Sequence, residues 1–515
     1  MLVMRMVPRL AACGLLAAAA CVSDSPVAPR PTTARAPQFS LSATSLSGGA
    51  ATGRQIVSFS GQVPSGFAAR VGALGGTVLW VSPDAGLAAV SGLDATRATA
   101  LARLAGIQTV TGDEALPLDV PQLATPDAGE GGGVLSNADP TTAVRYARQW
   151  NMRAVQADVA WAHGFLGSPS VSIFMLDSGI DYLHSDLVGR VDLTRSVDLL
   201  GTFLTQVVVG TDTLIVPFTE ADTVAKYFPT RLPITDLFFH GTHTGATVSS
   251  NAVRAAGVTS LTQLVAVKVC AYINVCPFSS ILNGVIYAAD HGADVINISL
   301  GGAFGKAGNG RFVGFLQKVF NYAQSKGVAI VVAAGNSAAD LDHNGNTYQT
   351  FCDTPAVICV AATGPTSDAT EFTTVTGPWT DVDAPAFYTN FGRSAISVAA
   401  PGGNGSFGPP LTPPAGRDVF VWAACSQTTI VEDSLGVKSF PCARLPIFVV
   451  GSRGTSMAAP HVTGTAALLV SIVGRNPARI KARIQQSADN VASNGTTPFN
   501  GKGRLNVARA VGAIP

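Results

Sequence analysis

Charge is scarce in this chain. Asp, Glu, Lys and Arg make up 13% of its 515 residues, and 33 basic residues face 32 acidic ones for a net charge of +1. A protein that binds nucleic acid through its phosphates carries a basic excess or stripe, so no nucleic-acid partner is expected here. Two metal motifs are also missing. There is no C-x-x-C spacing to suggest a zinc site and no H-E-x-x-H to suggest a zinc hydrolase. The apolar run 10–20 is too short for a bilayer span, which needs roughly 20 residues, and no later stretch is expected to be long and uncharged enough for one. What the chain does have is glycine, 54 of them, implying many tight turns. That profile suits a large, compact, loop-rich α/β enzyme better than a disordered or coiled-coil protein.

The N-terminus has a basic segment with Arg5 and Arg9, then the short apolar run 10–20 ending in small residues. This predicts an export signal peptide at 1–21. Ala18-Ala19-Ala20-Cys21 also resembles a lipoprotein box, so a lipid anchor at Cys21 stands beside plain secretion, with the protein secreted or held at the cell envelope. Beyond the leader six cysteines fall into three local pairs, Cys270/Cys276, Cys352/Cys359 and Cys425/Cys442. In an oxidising compartment such neighbours read as disulfides closing short loops, although six cysteines formally allow fifteen connectivities.

Texture divides the chain further. Residues 22–53 are rich in Ala, Ser, Thr and Pro and read as a flexible linker. Residues 54–118 alternate strand, helix, strand, strand, helix, strand, the pattern of a small α+β domain. Residues 119–147 form a Pro/Gly/Ala-rich linker, an expected site of proteolytic nicking. From 148 to 515, short apolar runs at 171–176, 264–269, 295–299, 328–333 and 357–361 alternate with helical patterns such as 281–291 and 312–326. This predicts an α/β domain with a mainly parallel sheet covered on both faces, whose active site lies beyond the carboxyl ends of the strands.

Three motifs occur at such positions. Asp177-Ser178-Gly179-Ile180-Asp181 follows the first strand, where an acid could be a simple helix cap. His240-Gly241-Thr242-His243 could place two histidines on one helix face for a metal, but no glutamate base accompanies them. Gly454-Thr455-Ser456-Met457-Ala458-Ala459-Pro460-His461 reads as a helix N-terminus carrying a serine hydroxyl where developing negative charge is stabilised. Taken together, the order Asp, His, Ser matches the subtilisin arrangement, and neither the chymotrypsin nor the α/β-hydrolase order.

On these blocks the chain resembles the subtilase family, the subtilisin-like serine proteases, from about residue 148 to its end. Segments 264–269, 295–302 and 331–336 add to the likeness, and 54–118 resembles the family's propeptide. The resemblance implies a subtilisin-like three-layer domain and a serine endopeptidase with Ser456 as nucleophile, His240 as base and Asp177 orienting that base. Asn336 would supply the oxyanion-hole amide. Ser299, Leu300 and Gly301 would line one wall of a cleft for protein or peptide substrates, and Ala334 and Gly335 the other. Residues 54–118 would be an intramolecular inhibitor and chaperone, making the protein a self-inhibited precursor, and the mature enzyme a monomer. No cofactor is required for the chemistry.

Two features depart from the family pattern. Residues 191–239 and 403–447 are enlarged segments, and long insertions near a cleft are usually functional loops or lids. Asp186 matches a family calcium ligand, but Arg254 stands where that site should supply oxygens, so no metal site is assigned and any structural calcium has no ligands named. A catalytically silent binding protein and a peptide ligase using the same acyl-enzyme are the competing functions; the intact set Asp177, His240, Ser456 and Asn336 speaks against the first.

Overall fold

The computed structural model describes residues 52–116, 118, 135–209, 212–307, 309–349, 351–354, 356–366, 379, 381–404, 419–430, 442, 448–491 and 496–515. The proposed leader, nearly all of the first linker, residues 119–134 of the second and most of the 403–447 insertion lie outside them.

The first part of the chain runs β1 (Arg54–Phe59), α1 (Phe67–Ala73), β2 (Thr77–Ser82), β3 (Leu87–Ser91), α2 (Ala95–Ala102) and β4 (Ile107–Gly112). Its strands form one antiparallel sheet in the order β2-β3-β1-β4. Val57, Phe59, Phe67, Val71, Val90 and Leu101 bury a small core between sheet and helices. Helix α2 starts where Asp94 accepts the Arg97 N–H at 2.8 Å, an N-cap that satisfies one orphan donor of the first turn. A short strand, β5 (Ala115–Leu116), then leaves this sheet for the larger body.

The larger body opens with α3 (Trp150–Ala154), α4 (Ala157–Ala162) and β6 (Ser172–Asp177). There follow β7 (Val197–Asp198), the hairpin β8 (Thr202–Val209) and β9 (Asp212–Thr219), α5 (Glu220–Tyr227) and α6 (His240–Val248). Next come β10 (Gln263–Lys268), β11 (Cys276–Pro277), α7 (Phe278–Asp290), β12 (Val295–Ile298), β13 (Ala303–Gly305), α8 (Gly310–Ser325), β14 (Ala329–Ala333) and β15 (Thr347–Gln349). The chain ends with β16 (Ile358–Thr363), β17 (Val398–Pro401), β18 (Val421–Ala424), β19 (Val449–Ser452), α9 (Thr455–Val473), α10 (Pro477–Ser487) and α11 (Val507–Val511).

Seven of these strands make the central sheet, in the order β17-β16-β14-β12-β6-β10-β7, parallel throughout. Their apolar runs are continuous because both faces are covered. On one face Phe174, Leu176, Val265, Val267, Ile296 and Ile298 join the core under α7 and α8. On the other, Ile173, Met175, Leu264, Ala266 and Val331 join the core that includes α9, which, contrary to the expectation from the sequence, is long and apolar enough to cross a membrane but is mostly buried here as the central core helix. The three-layer α/β architecture expected from the sequence is thus present, and the strands expected at 171–176, 264–269, 295–299, 328–333 and 357–361 form within about two residues of those limits. All three neighbouring cysteine pairs are bonded, Cys270–Cys276, Cys352–Cys359 and Cys425–Cys442. Because the sheet is parallel, Asp177, Ser299 and Asn336 all emerge at the same end of it, after β6, β12 and β14.

Candidate active site

Asp177 is the last residue of β6 and His240 the first of α6. Both are fully buried, and the His240 Nδ1–H donates to Asp177 Oδ1 at 2.7 Å. The carboxylate also accepts the Ser178 N–H at 2.7 Å and the Thr244 hydroxyl at 3.1 Å, so three donors fix its plane. An imidazole held by its Nδ1 presents Nε2 as the basic nitrogen, the arrangement needed to take a proton from a hydroxyl.

The close approach of the two elements depends on glycine. A Cβ on Gly241 would collide with the carbonyl oxygen of Gly179 and come within 3.1 Å of the Asp177 Cβ. Gly179 itself adopts φ +109, a left-handed conformation that costs glycine little. The residue before His240 has no such freedom: Phe239 takes φ +135 although it carries a large side chain. Its ring is wholly buried beside Phe238, His240 and His243, and that packing offsets backbone strain on the order of 1–3 kcal/mol.

A second buried carboxylate holds this corner together. Asp236 Oδ1 accepts the Ser178 hydroxyl at 2.9 Å and the Phe238 and Phe239 N–H groups at 3.0 Å each. Its Oδ2 accepts the Thr242 N–H at 2.9 Å and the Thr242 hydroxyl at 2.6 Å. The Ser178 hydroxyl in turn accepts the Gly241 N–H at 3.0 Å. Asp236 therefore caps α6 and ties it to the Asp177 loop. Burial holds its carboxyl above the ordinary aspartate range, although the bonds from Thr242, Phe238 and Phe239 pull the other way. No expectation from the sequence singled it out; its position four residues before His240, at a helix start, was the available signal.

Ser456 is the second residue of α9, which packs directly against α6. Its hydroxyl donates to the Ser299 carbonyl at 2.9 Å, and its own carbonyl accepts the Ser299 hydroxyl at 3.0 Å. The second bond exists because Pro460, four residues on, has no N–H to offer that carbonyl. The proline thus leaves an acceptor that pins the serine to the end of β12. Behind it, Asn297 Nδ2 donates to the Ser299 hydroxyl at 2.9 Å and Thr463 donates to Asn297 Oδ1 at 2.8 Å.

Asn336 is oriented from the serine's own helix. Its Oδ1 accepts the Thr455 N–H at 2.8 Å and the Thr455 hydroxyl at 2.9 Å, and the Thr455 oxygen accepts the Gly335 N–H at 2.9 Å. A backbone N–H can only donate, so the amide's oxygen is identified and its NH₂ must be the other end. Donors so fixed can stabilise an oxyanion without reorganising. Thr455 lay within the serine motif, yet its service to Asn336 is a contact between residues 119 apart in the chain.

The expected cleft walls are also at this end of the sheet. Ser299, Leu300 and Ala334 are buried, while Gly301 and Gly335 are half-buried. A contact not anticipated is β11, which pairs antiparallel with β5 from the N-terminal part: Cys276 faces Leu116 and Pro277 faces Ala115. Leu116 meets Phe278, Phe304 and Phe312 at a small apolar cleft.

Asp186 does not fit a calcium role. Its oxygens accept the N–H groups of Arg254 at 2.7 Å and Ala255 at 3.1 Å, while Asn251 Nδ2 donates to the Ser185 and Val188 carbonyls. Donors stand where a hard cation would need oxygens. Among the described residues no three His, Cys, Asp or Glu side chains gather as a metal site. His243 donates Nε2–H to the Val421 carbonyl at 3.1 Å, and burial pushes its imidazole down to about 3.

Comparison with known proteins places these features in one family. A sequence model of the subtilase family matches residues 168–503. Thermitase of Thermoactinomyces vulgaris is 29% identical over 372 residues, covering 71% of this chain and 96% of thermitase. A thermophilic serine proteinase of Bacillus sp. (strain AK1) is 30% identical over 366 residues, covering 70% of this chain and 67% of that protein. Among solved structures, fervidolysin from Fervidobacterium pennivorans, a keratinolytic enzyme related to subtilisin, superposes with a TM-score of 0.62 at 21% identity. That match covers 90% of this chain and 62% of fervidolysin. The epidermin leader peptide processing serine protease of Staphylococcus aureus gives a TM-score of 0.62 at 18% identity, covering 89% of this chain and 97% of that one. At such identities the structures speak for the fold.

Proposed function

Since the chain belongs to the subtilase family and is a subtilisin-like serine endopeptidase, we propose that it is an exported one, made as a self-inhibited precursor, whose acyl-enzyme forms on Ser456. His240 takes the Ser456 proton as the hydroxyl attacks a peptide carbonyl, then returns it to the leaving amine. Asp177 keeps the imidazole in one tautomer and stabilises its protonated form without accepting the proton. The Asn336 side chain and the Ser456 N–H hold the oxyanion. Water then repeats the sequence against the acyl ester, releasing the acid and restoring the hydroxyl. The observation that carries this reading is the 2.7 Å Asp177–His240 bond within a corner closed by Asp236, beside a helix that presents Ser456 and orients Asn336.

The precursor reading rests on how the N-terminal part sits. Strand β5 lies along the cleft edge, and the Phe278 N–H donates to the Glu114 carbonyl at 2.8 Å. Asp113 caps α7 by accepting the Ser279 N–H at 2.8 Å and the Ser279 hydroxyl at 2.6 Å. Arg54, also buried, donates to the Ser280 hydroxyl at 3.0 Å and to the carbonyls of Leu200 and Thr202. A segment so placed competes with substrate for the same edge. Six disulfide-bonded cysteines and the basic-apolar leader support export; lipidation at Cys21 would then anchor the protein to the envelope.

A fluorophosphonate probe, applied with casein to the matured protein and its Ser456→Ala variant, tests the chemistry. Labelling and cleavage are expected in the first and neither in the second. Absence of labelling in folded, matured wild type would end the enzymatic reading, while labelling without casein cleavage would point to a narrow processing role. Sequencing of the mature N-terminus should place the cut between residues 118 and 148, and residues 54–118 still covalently attached in a fully active form would rule out the precursor reading.

A further inference from the structure

Strand β11 is two residues long and stands at the end of a loop closed by the Cys270–Cys276 disulfide. An edge this short has few bonds of its own to keep it in register, and a peptide pairing with it would have to order it first. Yet the loop is fastened from three sides. At its start, the N–H groups of Val269 and Cys270 donate to the carbonyl of Asp177 at 2.9 and 3.2 Å. Within it, the disulfide is reinforced by the Ala271 N–H donating to Val275 O at 2.8 Å. From outside, Glu220 Oε2 accepts the Tyr272 N–H at 2.7 Å, and the Tyr272 ring lies 5.8 Å from that of Phe218.

Glu220 belongs to the enlarged 191–239 segment, as the first residue of α5 directly after the hairpin β8–β9. It is wholly buried and its other oxygen pairs with Lys268 Nζ at 2.6 Å. Lys268 is equally buried and also donates to the Thr235 and Pro233 carbonyls at 2.6 and 3.2 Å. A buried ion pair is a poor source of stability, since apolar residues of the same volume often serve as well or better. What it does supply is a carboxylate held in one place, with one oxygen for the lysine and one for the loop's N–H. The consequence is felt at β11, where Cys276 and Pro277 pair with Leu116 and Ala115, and a peptide lying as 114–116 lies would use the same main-chain bonds.

We propose that α5 and the hairpin before it are a strut for the peptide-binding rim: through Glu220, together with the Cys270–Cys276 disulfide, they hold β11 in register for an extended chain. Affinity for long peptides depends on this strut, and the chemical step does not. The proposal rests on the reading of the cleft as a peptide-cleaving site. Glu220 is a positioning residue in this scheme, acting through Tyr272 and the loop.

Two variants of the full chain, counted by fluorophosphonate titration so that only competent enzyme is compared, test it. Glu220→Leu with Lys268→Met removes the acceptor and both charges; Cys270→Ser with Cys276→Ser removes the tie. Each should raise KM about tenfold for a peptide with at least six residues before the scissile bond, at constant kcat. The ratio of kcat/KM for that peptide to that for an acetyl amino-acid ester, which has no residues to pair with β11, should fall about tenfold. Glu220→Gln with Lys268→Met keeps an acceptor for Tyr272 and should restore most of the ratio. An unchanged ratio in both main variants, or a fall caused by kcat, overturns the strut. If the charge-pair variant fails to fold, the disulfide variant decides alone. Wild type that the probe does not label would remove the peptide-cleaving reading itself, and the strut with it.

Discussion

At the scale of single residues, the proposed oxyanion role of Asn336 rests on how Thr455 holds its amide. Thr455 uses its N–H and hydroxyl together on the Asn336 oxygen, so the amide NH₂ has one direction left to it. Asn336→Ala should lower kcat by about 10²–10³, the magnitude established for the equivalent loss in subtilisin. Thr455→Val keeps the N–H but removes the hydroxyl, and should cost about tenfold as the amide gains freedom, a charge-assisted bond being worth more than this neutral one. Steady-state kinetics on titrated enzyme would check both; a kcat for Asn336→Ala within a few-fold of wild type would exclude the oxyanion role. Pro460 acts at the same scale, through the N–H that it lacks.

At the scale of elements, α6 is the informative case. Its sequence, His240-Gly241-Thr242-His243-Thr244-Gly245-Ala246-Thr247-Val248, holds two glycines and four β-branched residues, a poor helix by intrinsic propensity. It forms because Asp236 satisfies its first-turn donors and because its whole surface is buried against β6, β18 and α9. Asp236→Asn would turn an NH₂ toward a group of donors, leaving one or more of them unsatisfied. The expected cost is about 2 kcal/mol in urea unfolding, with a fall in kcat larger than any change in KM, because the His240 ring is what α6 carries. Wild-type turnover in a destabilised Asp236→Asn protein would separate the cap from the catalytic geometry.

For the whole molecule, two buried neutral histidines contribute to the response to acid. Burial pushes His243 down to about 3 and His461 down to about 4, below the ordinary histidine value of 6.5. His461 donates Nδ1–H to the Met457 carbonyl at 2.9 Å, and its Nε2 accepts from Asn151 at 2.8 Å, a pattern only the neutral ring supports. Between pH 6.5 and the folded values the unfolded chain binds more protons than the folded one, so these groups' contribution is complete above 6.5 and is lost as pH falls. Each should add a slope of about 1.4 kcal/mol per pH unit within its window. His461→Asn should flatten the acid limb of a stability–pH curve measured by thermal melting; an unchanged limb would show that His461 is not one of the groups responsible.

Much of this protein is legible in the amino-acid order alone. Continuous apolar β-branched runs specify strands buried on two faces, and three short motifs in the order Asp177, His240, Ser456, with Asn336 between, name the groups a serine protease needs. Neighbouring cysteines found each other because short loops bring them together at little entropic cost. The supporting contacts were not legible, since they join residues far apart: Thr455 to Asn336, Ser299 to Ser456, Arg54 to the 200–202 turn. Glu220 lies inside an enlarged segment that no motif marks, and only the fold buries it against Lys268 and Tyr272. Local order decides which groups are present and which elements carry them. Packing decides what each buried polar group may bond to, because a hydrogen bond lost inside the protein has no water to replace it.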